Sequence, residues 1–237
     1  MAGPIFPTAM IALAAGTIAT AASITFGAGI RFHIPGSAVP ITGQTAAVCL
    51  CAVFIGRASA TLGAMLYALL AILGLPVLAG FSSRVHKPSF GYVIGFAATA
   101  YIAAPTDAVP SPWDVLARCA LGQLSCLGVG ACWLSAVSGM SIEQSWSDGI
   151  RPLLPGLAIK SLFVTAAAAL RSSAGDAVFA ASMCAAAASA LGVSQWQAQR
   201  AAKQPRLILW DRAWVVEELA SAAIFVLIVY CLFVCVS

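Results

Sequence analysis

The side chain whose chemistry most needs explaining is Lys160. It lies eight residues after Pro152 and eleven before Arg171, within an otherwise apolar stretch. At about 1.5 Å per helical residue, its position is more than roughly 10 Å from either end, too far for the stem to snorkel readily to water. A lysine at mid-helix costs about 2.5–3.5 kcal/mol on insertion scales. The first six apolar stretches carry no acidic residue away from their ends to offset that cost. Such an ammonium calls for a cavity, where it can donate to an anionic or carbonyl-bearing ligand; backbone carbonyls and water are the alternative acceptors.

Other polar groups cluster in two broken segments. RFHIPGSAVPITGQT, from Arg31 to Thr45, is interrupted by Pro and Gly and offers the hydrogen-bonding groups of Thr42, Gln44 and Thr45. It reads as a loop over a pocket, or as a plain connection. GFSSRVHKPSFGYVIGF, from Gly80 to Phe96, combines glycines that permit close backbone approach with Phe81, Phe90, Tyr92 and Phe96. Those rings can line a pocket or form an interfacial belt. Gln123 can reach a ligand or join two helices.

Signatures of covalent chemistry are missing. Lys160-Ser161 superficially resembles the end of a phosphate-binding loop, but Ile159 stands where its glycine is required and the upstream spacing fails. There is no HExxH or GxSxG, and His33 and His86 fall in different loops without a nearby carboxylate. The eight cysteines include no CxxC pair and sit among small apolar neighbours. They read as small buried hydrophobes rather than as a disulfide framework or zinc site. The sequence therefore predicts a binding or carrier protein, with no enzyme activity, metal or cofactor.

The elements that must position these groups follow from composition. Of 237 residues, 61% are hydrophobic and 8% charged, with a mean hydropathy of +0.97. A soluble domain is roughly a quarter charged, so lipid is the expected solvent. The net charge of +4 is scattered along the chain and makes no nucleic-acid footprint. Met1-Ala2-Gly3-Pro4 lacks the basic start of a cleavable signal.

Backbone in lipid must satisfy its own hydrogen bonds, so the apolar blocks read as helices in an all-α, polytopic transmembrane bundle of the cell membrane. Six blocks form a core over residues 1–171: Thr8–Ile30, Gly43–Ile55, Ala58–Ala79, Phe90–Ala104, Val115–Val137 and Pro152–Leu170. The second and fourth, at about 13 and 15 residues, fall short of the roughly 20 needed for a full crossing. Short or broken helices are a way to leave a hollow. Residues 172–237 form an extension with one or two further helices, Asp176–Trp196 and Leu219–Val236. In the first block Ala12 and Gly16, then Ala15, Ala19, Ser23 and Gly27, recur at four-residue spacing. Such a face docks a partner subunit or serves internal packing.

Several segments, taken in order, resemble one family. Val39-Pro40-Ile41-Thr42-Gly43-Gln44-Thr45 matches a pattern close to VPFTxQT, Gly74-Leu75-Pro76-Val77-Leu78-Ala79-Gly80 matches GLPVFAG, and Gly91-Tyr92-Val93-Ile94-Gly95-Phe96 matches GYLLGF. Gly122-Gln123-Leu124 with Trp133-Leu134, then Gly139-Met140-Ser141, resembles the fifth-helix region. Leu154-Pro155-Gly156-Leu157-Ala158-Ile159-Lys160 resembles LPGDxxK. The chain from about residue 8 to 171 thus resembles the BioY family, the biotin-binding S components of energy-coupling-factor (ECF) transporters.

The resemblance implies a six-helix fold with a biotin pocket near the outer face, roofed by the first and third connecting loops. The expected ligand-binding residues are Lys160, Thr42, Gln44, Tyr92, Gln123 and Gly156. The face of Ala12, Ala15, Gly16 and Ala19 would dock an ECF transmembrane coupling protein driven by separate ATPase subunits. Two residues depart from the pattern. Leu157 replaces an aspartate that helps hold the ligand's polar ring, and Phe90 replaces a glycine and would narrow the pocket. The alternative reading is a membrane scaffold that keeps the fold without the ligand. With the family's inward N-terminus, Arg57, Arg118 and Arg171 fall inside while Arg31, Arg84, Lys87 and Arg151 fall outside. That count of three against four runs against the positive-inside rule.

Overall fold

A computed structural model of the chain describes residues 5–32, 39–79 and 88–173. Its helices are α1 (Ile5–Gly29), α2 (Gln44–Phe54), α3 (Arg57–Ile72), α4 (Phe90–Ala103) and α5 (Pro112–Ser138), followed by α6 (Ile142–Ser173). A two-residue antiparallel ladder, β1 (Arg31–Phe32) on β2 (Ile41–Thr42), closes the loop between α1 and α2. The expected helices Asp176–Trp196 and Leu219–Val236 lie outside the described residues, as does nearly all of the expected extension 172–237.

Local chemistry sets the helix ends. Ser111 Oγ accepts the Asp114 N–H at 3.1 Å, Pro112 opens α5, and Gly139 ends it at φ 64°. This is the pairing of hydroxyl cap and left-handed stop that helix termini favour. The sequence reading starts the sixth helix at Pro152. In the structure it starts ten residues earlier, because Ser141 and Gln144 form a reciprocal capping box. The sequence reading also runs the third helix to Ala79. In the structure α3 stops at Ile72, Gly74 turns to φ 86°, and Pro76 cannot donate to a continuing helix.

α6 is not uniform. A π turn spans Trp146–Ile150 and a 3-10 turn Arg151–Leu153, before regular helix resumes. The π turn is wider than an α turn and the 3-10 turn tighter; π turns are frequent at functional sites. Here the Tyr92 hydroxyl donates to the Gly149 carbonyl at 2.8 Å, pinning the wide turn to α4.

α1, α5 and α6 are long and apolar enough to cross a membrane, while α2, α3 and α4 are shorter apolar helices. Large apolar side chains such as Ile11, Ile18, Met65, Leu69, Leu121 and Leu162 face outward. A membrane protein puts such groups there, because lipid is its solvent. Among helices in lipid, close packing rests on small residues. A Cβ on Gly91 would stand 2.1 Å from the Trp133 Cβ, and one on Gly130 2.3 Å from the Tyr92 ring, so α4 and α5 meet backbone to side chain.

The small-residue face of α1 divides. A Cβ on Gly16 would meet Ser59 Oγ of α3 at 2.7 Å, and Ala19 is buried. Both serve internal packing, which removes them from the surface expected for a partner. Ala15 is half-buried and Ala12 exposed.

Arg57, Arg118 and Arg171 share one end of the core, while Arg31 and Arg151 lie toward the other. Arg57 Nη2 donates to the Ala104 carbonyl at 3.1 Å, with its guanidinium 4.9 Å from the centre of the Tyr101 ring. Arg118 Nε donates to Asp114 Oδ1 at 2.8 Å and its Nη2 to Thr106 Oγ1 at 3.1 Å. Arg171 lies 5.5 Å from the Phe54 ring centre. The α2–α3 turn, the α4–α5 connection and the end of α6 therefore share an end, as the expected topology requires. Arg84 and Lys87 lie outside the described residues.

Candidate ligand pocket

A cavity of about 260 Å³ lies at the opposite end, slightly below the usual small-molecule range of roughly 300–1,000 Å³. Its roof comes from residues 39–42 of the first loop and from Leu78, Ala79, Pro88 and Ser89 of the third. Its walls come from α2, α4, α5 and α6. The two shortest helices, α2 with 11 residues and α4 with 14, both border the hollow, as their lengths predict.

Lys160 stands in that wall, 6% exposed. Its Nζ donates to the Thr42 carbonyl at 2.7 Å and to Thr45 Oγ1 at 3.3 Å. Both of these acceptors are neutral. The contacts also tie α6 to the first loop across more than a hundred residues of sequence, so one side chain both charges the cavity and anchors its roof.

Thr42 and Gln44 line the cavity too. The Thr42 hydroxyl donates to Gln44 Oε1 at 3.1 Å, and Gln44 Nε2 donates to the hydroxyl of Tyr67 on α3. Gln123 lines the cavity from α5, and its amide nitrogen reaches Ser161 Oγ at 2.8 Å and the Leu157 carbonyl at 3.4 Å. It therefore joins α5 to α6 while bordering the hollow, combining the two roles its sequence context leaves open.

Tyr92 lines the cavity, but its hydroxyl is committed to Gly149. Gly156 does not line the cavity, but it adjoins the lysine: a Cβ there would lie 4.0 Å from Lys160 Nζ and in ordinary contact with Ile41 Cδ1 at 3.5 Å. The structure thus brings Lys160, Thr42, Gln44, Tyr92 and Gln123 together around the cavity, with Gly156 beside the lysine. Leu157 and Phe90, the two departures from the family pattern, both line the hollow. Phe90 is braced edge-on against Trp133, with centroids 5.8 Å apart.

Two contributors stand outside the expected ligand set, although the sequence marks Thr45 as a hydrogen-bonding group of the first broken segment. Thr45 accepts from the lysine, and Tyr67, fully buried outside the wall, holds Gln44. A tyrosine inside an apolar helix is itself a signal, because a buried phenol needs a partner. The described lining includes no Asp, Glu or His. What it offers is one cation, neutral hydrogen-bonding groups and apolar walls from Val93, Phe96, Leu127 and Leu153. That arrangement suits capture of a small amphipathic molecule that carries hydrogen-bond acceptors.

Comparison with known proteins agrees with the architecture. The family model described as "BioY family" matches residues 6–177. A solved structure described as the "S-component for biotin from an ECF-type ABC transporter" superposes with a TM-score of 0.60 at 24% identity, covering 74% of this chain and 96% of that one. At that identity the likeness establishes the fold. No curated protein matches the chain.

Proposed function

The chain belongs to the BioY family, and from that premise we propose that it is a multi-pass subunit of the cell membrane that binds biotin for uptake. The observation that carries the reading is the Lys160 ammonium, held by neutral acceptors in the wall of a cavity roofed by two loops. An acceptor-bearing guest complements that charge, and the apolar walls suit a hydrocarbon chain. The roof supplies a way in, since loops move more readily than packed helices. Thr42, Gln44, Tyr92 and Gln123 shape the site around the ligand.

The described chain supplies no energy-yielding chemistry in this reading. Uptake depends on an ECF transmembrane coupling protein with ATPase subunits, against which this subunit shifts between access states. Ala12 and Ala15 are the members of the small-residue face still available for that contact.

The test is equilibrium binding of labelled biotin to the purified full chain. Saturable binding that weakens by roughly 10- to 150-fold in Lys160→Ala is expected, from the 1.5–3 kcal/mol typical of a charged hydrogen bond. Absence of saturable binding by the wild type would overturn the reading and leave a scaffold that keeps the fold without the ligand.

A further inference from the structure

We propose that Tyr67 is a positioning residue that locks the two roofing loops to each other from behind the cavity wall. The proposal deepens the binding reading, since it concerns how the same cavity is closed. Tyr67 sits in α3, fully buried, and is absent from the cavity lining. Its hydroxyl donates to the Val77 carbonyl in the third loop at 2.8 Å and accepts from Gln44 Nε2 at the start of α2. Gln44 Oε1 in turn accepts from the hydroxyl of Thr42 in the first loop. Three hydrogen bonds in series thus connect one half of the roof to the other.

The direction of the series is fixed by chemistry. A backbone carbonyl only accepts, so Tyr67 must donate to Val77; its oxygen then accepts, which turns the Gln44 amide nitrogen toward it and the Gln44 carbonyl oxygen toward Thr42. The Thr42 hydroxyl becomes the terminal donor. The Thr42 carbonyl meanwhile accepts from Lys160. A displacement of either loop is therefore felt by the other loop and by the lysine. Buried hydrogen bonds strengthen in surroundings of low polarity and are costly to leave half-made, so the series favours a state in which both loops are seated.

Tyr67→Phe removes the hydroxyl and keeps the ring, including its tilted contact with Phe96 at 6.1 Å between centroids. The deciding measurement needs no ligand: amide hydrogen exchange in the full-length protein, read in peptides covering residues 39–45 and 73–79. Faster exchange in both segments of Tyr67→Phe is expected, together with faster exchange of 73–79 in Thr42→Val, whose substitution lies in the other loop. Acceleration confined to 73–79 in Tyr67→Phe, or no response of 73–79 to Thr42→Val, would overturn the proposal. Gln44→Leu removes both polar ends of the link from α2 and decides the matter if Tyr67→Phe does not fold. On that background the two segments must again accelerate together.

Biotin binding supplies the separate arm. Tyr67→Phe is expected to raise Kd by roughly five- to thirtyfold, chiefly through faster dissociation, and to combine with Thr42→Val less than additively. A wild type without saturable binding sinks the biotin reading and leaves the exchange result to decide the coupling. A wild-type Kd in Tyr67→Phe overturns the positioning role.

Discussion

At one end of the core Lys160 rests on a carbonyl and a hydroxyl beside a hollow; at the other, Arg118 rests on a carboxylate while Arg57 and Arg171 lie over aromatic rings. Both ends stabilise cations near or within an apolar solvent, but they do so for different consequences. The Arg118–Asp114 pair neutralises itself, and the stacked guanidiniums fill their space with ring and stem. The lysine stands in the cavity wall. The Arg118–Asp114 pair lies outside the cavity and builds structure, whereas the lysine borders the cavity, where a guest can meet it.

The sharpest test of this contrast adds an anionic acceptor to the pocket wall. Leu157 lines the cavity three residues before Lys160, a spacing that puts both on one helical face. Leu157→Asp puts a carboxylate in the cavity wall, able to accept from a ligand's ring N–H groups. Biotin affinity is expected to rise by roughly 10- to 150-fold, the equivalent of a charged hydrogen bond of about 1.5–3 kcal/mol. Unchanged or weaker binding in an equilibrium titration would show that the pocket accommodates a ligand without such donors at that wall.

The contrast also depends on how firmly the walls are held. Gly91→Ala drives a methyl to 2.1 Å from the Trp133 Cβ, and overpacking of this kind costs about 1–3 kcal/mol. A lower unfolding temperature in detergent and weaker biotin binding are expected together, because α4 and α5 both wall the cavity. Gly128, two residues from the equally crowded Gly130, faces open space. Gly128→Ala is expected to be neutral or stabilising by up to about 1 kcal/mol, since alanine favours helix. Equal losses in both variants would separate α4–α5 packing from the site.

Much of this arrangement is legible in the sequence, for reasons that differ by residue. Lys160 announces a cavity because a charge at mid-helix has few other resolutions, and the short second and fourth blocks announce the hollow. The start of α6 is harder to see, since SIEQSWSDGIRP reads as a polar connection; the Ser141 and Gln144 capping box is its only local sign. The end of α3 hides for the opposite reason: Leu73–Ala79 is apolar enough to pass for helix, although Gly74 and Pro76 punctuate it. Tyr67 can be flagged as needing a partner, but its partners stand 23 and 10 residues away, and only the folded chain brings them together. The small residues of α1 mark a close approach without saying to what; for Gly16 the answer is Ser59 of α3.

The smallest expected effect lies at the arginine end. Arg57 gains from the Tyr101 ring and from the Ala104 carbonyl, yet its Nε is buried without a hydrogen-bond partner. Arg57→Lys forfeits the planar stacking, about 0.5–1 kcal/mol at such a site, while a lysine can still reach toward the carbonyl. It also deletes the unpartnered Nε, which offsets part of the loss. The two changes oppose each other, so a fall in stability of less than about 1 kcal/mol is expected, with biotin affinity unchanged because the site is at the far end. Thermal unfolding and biotin titration of the same preparation check both halves. A clear loss of binding without loss of stability would mean that the two ends communicate, and the separation of structural cations from the ligand-facing one would no longer hold.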